Sequence, residues 1–306
     1  MRQLARQPIF WSIMMCVLGL SLLTPLQFIT VHLMMVPIVM IVACSATLPL
    51  AAAYLSVPSL LLLLLTGRSW LIAAVILVIM VFPGIAIGYM YRRKSSAHAA
   101  ILAGTITMIA VLILFLVSFA LAGVNLQREI RAFMAEQFLL IDTFGAASMV
   151  TEEALDNFIS IAVRMLPLYI IIVSVYYTVI THTVSRRLLN KLGLEAPSFP
   201  PAHEWKLPRS LIWYYLVVLF MNLFLNRDSV LYTFILNLYP ILLITFAVQG
   251  LAFYFYWAYE KGRSKAIPIT AGVCCLLFPP AMYITSLVGV FDTAFPIRQY
   301  INRGMR

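Results

Sequence analysis

The sequence predicts an all-α, polytopic transmembrane helix bundle, and three observations carry that prediction. The chain is 63% hydrophobic and 10% charged, whereas a soluble domain carries about 25% charged residues. Its apolar residues gather in blocks, and its charges fall in the breaks, such as Arg92-Arg93-Lys94, Arg186-Arg187 and Lys261-Gly262-Arg263-Ser264-Lys265. Most blocks approach the ~20 residues that a helix needs to cross a hydrocarbon core about 30 Å thick. An unpaired backbone amide costs several kcal/mol there, so each block must close its hydrogen bonds internally as a helix.

In chain order, the spans are expected at 9–28, 31–53, a short 57–66, 71–91, 99–123, 158–184, 209–226, 229–257 and 267–291. Arg2 to Arg6 followed by an apolar run reads as an uncleaved first helix, since no small-residue cleavage site follows. Ile41-Val42-Ala43-Cys44 matches a lipoprotein-type cleavage box but follows two apolar stretches instead of a short signal core. The last block is interrupted by Pro279-Pro280, and proline removes a donor and breaks a helix. It is therefore either one crossing or a broken, re-entrant segment that returns the tail to the side it left.

Basic residues set the orientation. With a cytoplasmic N-terminus and a crossing at 57–66, thirteen Lys and Arg lie inside (Arg2, Arg6 and the groups at 92–94, 186–209 and 261–265). Five lie outside: Arg68, Arg128, Arg131, Arg164 and Arg227. Without a crossing at 57–66 the 92–94 cluster would lie outside, against the rule. A single crossing at 267–291 would likewise strand Arg298, Arg303 and Arg306 outside. The net charge of +10 then reflects topology beside anionic lipid, and no nucleic-acid partner is expected.

Two connections stand out. Residues 124–157 hold six of the eleven acids, interleaved with Phe133, Phe138, Leu139, Leu140 and Phe144. That pattern suits an extracytoplasmic amphipathic helix, a turn near Gly145 and a new helix capped by Thr151. The segment reads as a cover on the bundle or as an acidic entrance for a cationic ligand. In 185–209, Gly193 is placed to end a helix in the left-handed conformation. Pro197, Pro200, Pro201 and Pro208 keep the chain extended beyond it, with Phe199 and Trp205 as apolar anchors.

Polar residues inside spans are candidates for function. Arg164 lies inside the 158–184 span, before Pro167. It either holds a ligand or snorkels towards Glu152, Glu153 or Asp156. Asn222, Asn226, Asn237 and Gln249 fall in or beside the later spans, and the spacing of Asn222 and Asn226 puts them on one helix face. Such amides either bond helices together or line a cavity. Gly84 and Gly88 form a GxxxG that predicts close helix packing. Ala99, Ala103 and Gly104 form a similar small face on the next helix, so these two helices are expected to pack together. His32 and His182 are single imidazoles, expected to satisfy local hydrogen bonds.

No constellation for catalysis is present. The chain has no HExxH, GxSxG or P-loop and no paired intramembrane aspartates. Cys16, Cys44, Cys274 and Cys275 show neither CxxC nor disulfide-framework spacing. A non-enzymatic protein without metal or cofactor is the expectation.

The run Arg164-Met165-Leu166-Pro167 through Arg186-Arg187-Leu188-Leu189, Pro200, Trp205-Lys206-Leu207-Pro208-Arg209 and Trp213 resembles the YybS-like family of Bacillus-type membrane proteins. So does the ending from Gly289-Val290-Phe291-Asp292 to Arg298. That family, of unknown function, is similar in its first six spans to the substrate-capture (S) components of energy-coupling-factor transporters. The resemblance implies a bacterial plasma-membrane protein with an S-component-like six-helix core at 1–184. A Pro-rich cytoplasmic connection at 185–208 would follow, then two or three added C-terminal helices and a basic tail at 209–306. S components dock through AxxxA on their first helix, but here that helix has none, and Ala99 with Ala103 lies on a later one.

Together these readings predict a protein that binds or transports a small molecule or lipid in an outward-opening cavity beneath 124–157. Arg164, Asn222, Asn226, Asn237 and Gln249 are its candidate ligand-binding residues. The alternative is an assembly or scaffold protein whose loops at 185–209 and 258–265 contact a membrane protein partner or anionic lipid.

Overall fold

The computed structural model describes residues 2–141, 151–226 and 229–303, with side chains over 7–136, 151–226, 229–299 and at 301. The expected turn at Gly145 lies outside the described residues. Helices account for nearly all of the described chain, which is the all-α bundle expected. Six stretches are long and apolar enough to cross a bilayer: Gln27–Cys44, Leu48–Leu65, Gly67–Arg92, Ala97–Leu121, Leu166–Lys191 and Val230–Glu260. Their outward side chains are apolar, with Phe28 76% and Leu121 84% exposed. Such a surface is a liability in water and the natural one in lipid.

The chain forms two compact units, Met1–Glu129 with Tyr169–Phe199, and Ile130–Leu168 with Pro200–Arg306. Residues 130–168 thus group with the C-terminal helices, a division that differs from three consecutive segments.

In the first unit, α1 (Arg2–Ser21), a single turn α2 (Gln27–Thr30), α3 (Met35–Cys44), α4 (Leu48–Leu65), α5 (Trp70–Arg92) and α6 (Ala97–Leu121) follow in order. The expected break at 54–56 falls instead at 45–47. Ser45 is extended (ψ 143°), and Thr47 caps α4 by accepting from the Leu50 amide at 3.4 Å, with Pro49 in the first turn. Proline is favoured in the first turn of a helix, and a hydroxyl at the cap satisfies a free amide. The segment 57–66 is accordingly the second half of one 18-residue helix.

Helix α3 is the centre of this unit, with every residue from Met35 to Val42 buried. A helix apolar on all sides can be buried all round. Its last carbonyls are covered by Arg92, whose guanidinium donates to Val42 O (3.2 Å), Ala46 O (3.1 Å) and Ser45 O. Cationic groups favour that helix end. Gly84 and Gly88 face α3: an added Cβ would lie 2.7 Å from Ile38 Cγ2 and 2.7 Å from Val42 Cβ. The GxxxG therefore packs tightly, but onto α3. Helices α5 and α6 do pack together, through Gly104, which faces Ile87.

Helix α7 (Leu126–Ile141) is the first amphipathic segment, and α8 (Glu152–Arg164) the second, capped by Thr151 as expected (Ala154 amide to Oγ1, 3.2 Å). The expected span 158–184 is corrected at this point: α8 stops at Arg164 and a separate helix, α9 (Leu166–Lys191), makes the crossing. Pro167 lacks the amide that would bond Val163 O, so the ladder opens there. At the far end Gly193 takes φ +75°, as its position required.

The second unit holds α10 (Ser210–Phe224), α11 (Val230–Glu260), α12 (Ala266–Leu277), α13 (Pro279–Ala294) and α14 (Ile297–Arg303). The break at Phe278 (φ −132°, ψ 99°) decides the last block in favour of a broken segment. Helix α12 has 12 residues and spans about 18 Å at 1.5 Å per residue, short of a full crossing. The tail returns beside Tyr256, near the end of α11: the Tyr256 hydroxyl donates to Arg298 O at 3.0 Å. Helices α11 and α13 cross with their backbones touching. A Cβ on Gly250 would land on the Thr285 carbonyl, and one on Gly289 on the Phe246 carbonyl.

Candidate functional site

Of the five candidate residues, Gln249 lines one of the cavities, and Asn237 has a clear structural part. Asn237 repairs the α8–α9 break. Its Oδ1 accepts from the Leu168 amide (2.9 Å) and its Nδ2 donates to Arg164 O (2.8 Å). Leu168 N and Arg164 O stand four apart, the pair a continuous helix would join directly. The amide of Asn237 is thus inserted into the opened ladder and satisfies both freed groups. Replacing Asn237 with Leu leaves a buried donor and acceptor unpaired, each costing about 1–3 kcal/mol. Asn237→Leu is expected to lower the detergent melting temperature, with Asn237→Gln partly restoring it; equal melting of parent and Leu variant would reject this role.

Arg164 contributes its carbonyl here, and two of the three acids expected near it, Glu152 and Asp156, pair with Arg131. Arg131 meets Glu152 at 2.5 Å and Asp156 at 3.3 Å. Asn222 and Asn226 do not share a helix face, because α10 ends at Phe224 and Leu225 is extended (ψ 140°). Asn226 lies beyond the helix.

Gln249 belongs to a buried polar cluster that sequence reasoning did not assemble. Its Nε2 donates to Asp292 Oδ2 at 2.6 Å. Arg298 grips the same carboxylate with Nε (2.9 Å to Oδ1) and Nη2 (2.7 Å to Oδ2). Its remaining donors reach His203 O (2.8 Å) and Trp205 O (3.0 Å), and its guanidinium lies 4.9 Å from the Tyr256 ring centre. The Asp292 side chain is 1% and that of Arg298 8% exposed. The cluster ties the Pro-rich connection to α11 and α13 beside a small pocket of about 160 Å³. A lone acid at the end of an apolar block, with an arginine six residues on, was the available signal.

Two larger cavities lie in the first unit. One, of about 460 Å³, is formed by α1, α2, the α4–α5 turn and the start of α5. Leu22, Phe28 and Ile76 give it apolar walls, and Gln27, His32 and Ser69 polar points. Among the described residues no Lys, Arg, Asp or Glu lines it, nor does any from 124–157. The other, about 1120 Å³, lies at the opposite, basic end of α5, lined by Tyr91, Arg92, Lys94, Asn190, Glu195 and Ser198 among others. There the Tyr91 hydroxyl meets His182 Nδ1 at 2.7 Å, and Phe199 packs edge-on against the rings of His182 and His98. Phe199 is thus an anchor, as expected. His32 meets the Tyr176 hydroxyl at 3.4 Å. Both single imidazoles have local partners. Among the described residues no cluster of His, Cys, Asp or Glu suited to a metal ion occurs.

Long apolar helices, lipid-suited outer faces and polar groups buried at helix breaks define a multi-pass α-helical membrane protein. Residues 11–293 match the family described as "Predicted membrane protein (DUF2232)", and the chain belongs to that family. It is 26% identical over 225 residues to "Uncharacterized protein YybS" of Bacillus subtilis (strain 168), covering 71% of this chain and 73% of that one. The YybS-like resemblance is therefore borne out. No solved structure matches the chain.

Proposed function

We propose that this protein is a non-enzymatic plasma-membrane protein that binds, and carries, a small uncharged amphiphile in the 460 Å³ cavity of its first unit. The lining carries the proposal: apolar walls, a few hydrogen-bonding groups and no charge. Ligand sites are typically about 300–1,000 Å³, mostly apolar, with a few placed polar groups. The chemistry of Gln27, His32 and Ser69 favours a lipid-like or small neutral molecule over a polyamine, a metal ion or an anion. The likeness of the family's first spans to substrate-capture components supports the same reading. The distribution of basic residues supports a cytoplasmic N-terminus, with this cavity opening outward.

The test is a melting screen in detergent against neutral amphiphiles, polyamines, divalent cations and anionic vitamins. A neutral amphiphile at 100 times its dissociation constant is expected to add about 2.7 kcal/mol of stability. Ala73→Trp, which fills the cavity wall, is expected to remove that shift. Stabilisation by no neutral amphiphile, or a shift that survives Ala73→Trp, would reject the proposal.

A further inference from the structure

Helix α9 carries Ser174, Thr178, Thr181 and Ser185, all fully buried, and none of their hydroxyls has a hydrogen-bond partner among the described residues. At 100° per residue these positions fall within an arc of about 60°, a single stripe some 16 Å long. The stripe faces α6 at Gly104, where an added Cβ would lie 2.8 Å from Thr178 Cγ2. On α6 the neighbouring Thr105 Oγ1 is also buried and unpartnered.

Hydroxyls in helices readily satisfy themselves on the carbonyl four residues back. Thr183 on the exposed side of α9 does so (Val179 O, 2.7 Å), as do Thr107 (Ala103 O, 2.7 Å) and Ser118 (Leu114 O, 2.8 Å) on α6. The four stripe hydroxyls on α9 do not make that bond. Each unpaired buried group costs about 1–3 kcal/mol, so the four along α9 call for polar partners.

Both ends of the stripe lead to cavities. At one end Tyr176 and Tyr177 close on His32, with ring centres 5.5 and 5.7 Å away, and His32 lines the 460 Å³ cavity. At the other, His182 on α9 bonds Tyr91, which lines the 1120 Å³ cavity. Hydroxyls and imidazoles both donate and accept, and no carboxylate or amine interrupts this series. The charged groups near the basic end include Arg186 on α9, Arg92 at the end of α5, Lys94 just beyond it, and Glu195 in the connection; His98 on α6 shares the Phe199 ring.

We propose that the α9 hydroxyl stripe, ending at His182 and Tyr91, is a hydrated path that carries protons between the two cavities of the first unit. At each step an O–H or N–H bond breaks as the proton passes to the next oxygen or nitrogen, and the donor is refilled from behind. No oxidant or co-reactant is involved. The proposal does not depend on what fills the outer cavity.

The test uses the full chain in phosphatidylcholine–phosphatidylglycerol vesicles enclosing a pH-sensitive dye, with protons driven by a valinomycin potassium potential. Proton entry is expected to exceed that of protein-free vesicles. His182→Gln and the near-isosteric Thr178→Val/Thr181→Val pair should bring it down to that level, while Thr183→Val keeps the parent rate. In a background without Cys16, Cys44, Cys274 and Cys275, Ser174→Cys and Thr178→Cys should react with aminoethyl methanethiosulfonate. Proton entry no faster than in protein-free vesicles overturns the proposal even if both cysteines react. Unreactive cysteines overturn it as well, since a dry seam cannot conduct.

Discussion

Replacing Gly289 with Leu is expected to prevent the second unit from folding. An added Cβ there lands on the Phe246 carbonyl, and the Gly250 amide would stand 2.8 Å away. Overpacking costs about 1–3 kcal/mol when neighbouring side chains can move. Here the obstacle is backbone on both sides, so the helices must separate and the loss exceeds that range. Gly250 reciprocates against the Thr285 carbonyl, so Gly250→Ala should also be severe. Gly272→Ala is the control, since its Cβ would meet Leu251 at an ordinary 3.8 Å. Melting in detergent, with size-exclusion behaviour, checks the set. Gly289→Leu and Gly250→Ala melting like the parent would show that the two helices do not cross in contact.

Removing the Arg298 side chain is the second large effect. Arg298→Met leaves the Asp292 carboxylate, 1% exposed, with Gln249 alone. Breaking a buried pair from one side costs about 3–5 kcal/mol. The carbonyls of His203 and Trp205 lose a partner as well. Arg298→Lys should rescue little, because one ammonium cannot reproduce a planar fork that serves a carboxylate and two carbonyls. The double change Arg298→Met/Asp292→Leu should recover part of the loss by removing the stranded charge. Limited proteolysis within 200–208 should accelerate in the single variant. A single variant that melts with the parent and resists protease would show that the cluster holds nothing together.

Much of this protein was legible in order along the chain. Apolar blocks separated by basic breaks specify helices in lipid because an amide there has no partner but its own helix. The caps at Thr151 and Gly193 follow from local backbone chemistry, and the tight packing of Gly84 and Gly88 from side-chain size. The placement of breaks was less legible. A hydrophobic run from 31 to 66 gives no periodic cue to separate one helix from the next, so only Thr47 and Pro49 marked the true start of α4.

The sequence by itself determined that the chain is a multi-pass helical membrane protein of this family, with a break at Pro279-Pro280 as one of two readings of its last block; the break before Pro167 came only from the structure. Only the tertiary structure decided which polar residues meet. Arg164, Asn222, Asn226, Asn237 and Gln249 looked alike as polar groups in apolar runs, yet Asn237 mends a ladder, Gln249 joins a buried ion pair, and Asn226 lies beyond its helix. Partnership in a bundle depends on how helices cross and rotate. Those are set by backbone contacts such as Gly250 against Thr285 and Gly289 against Phe246, made between residues 35 and 43 positions apart, which no local pattern encodes.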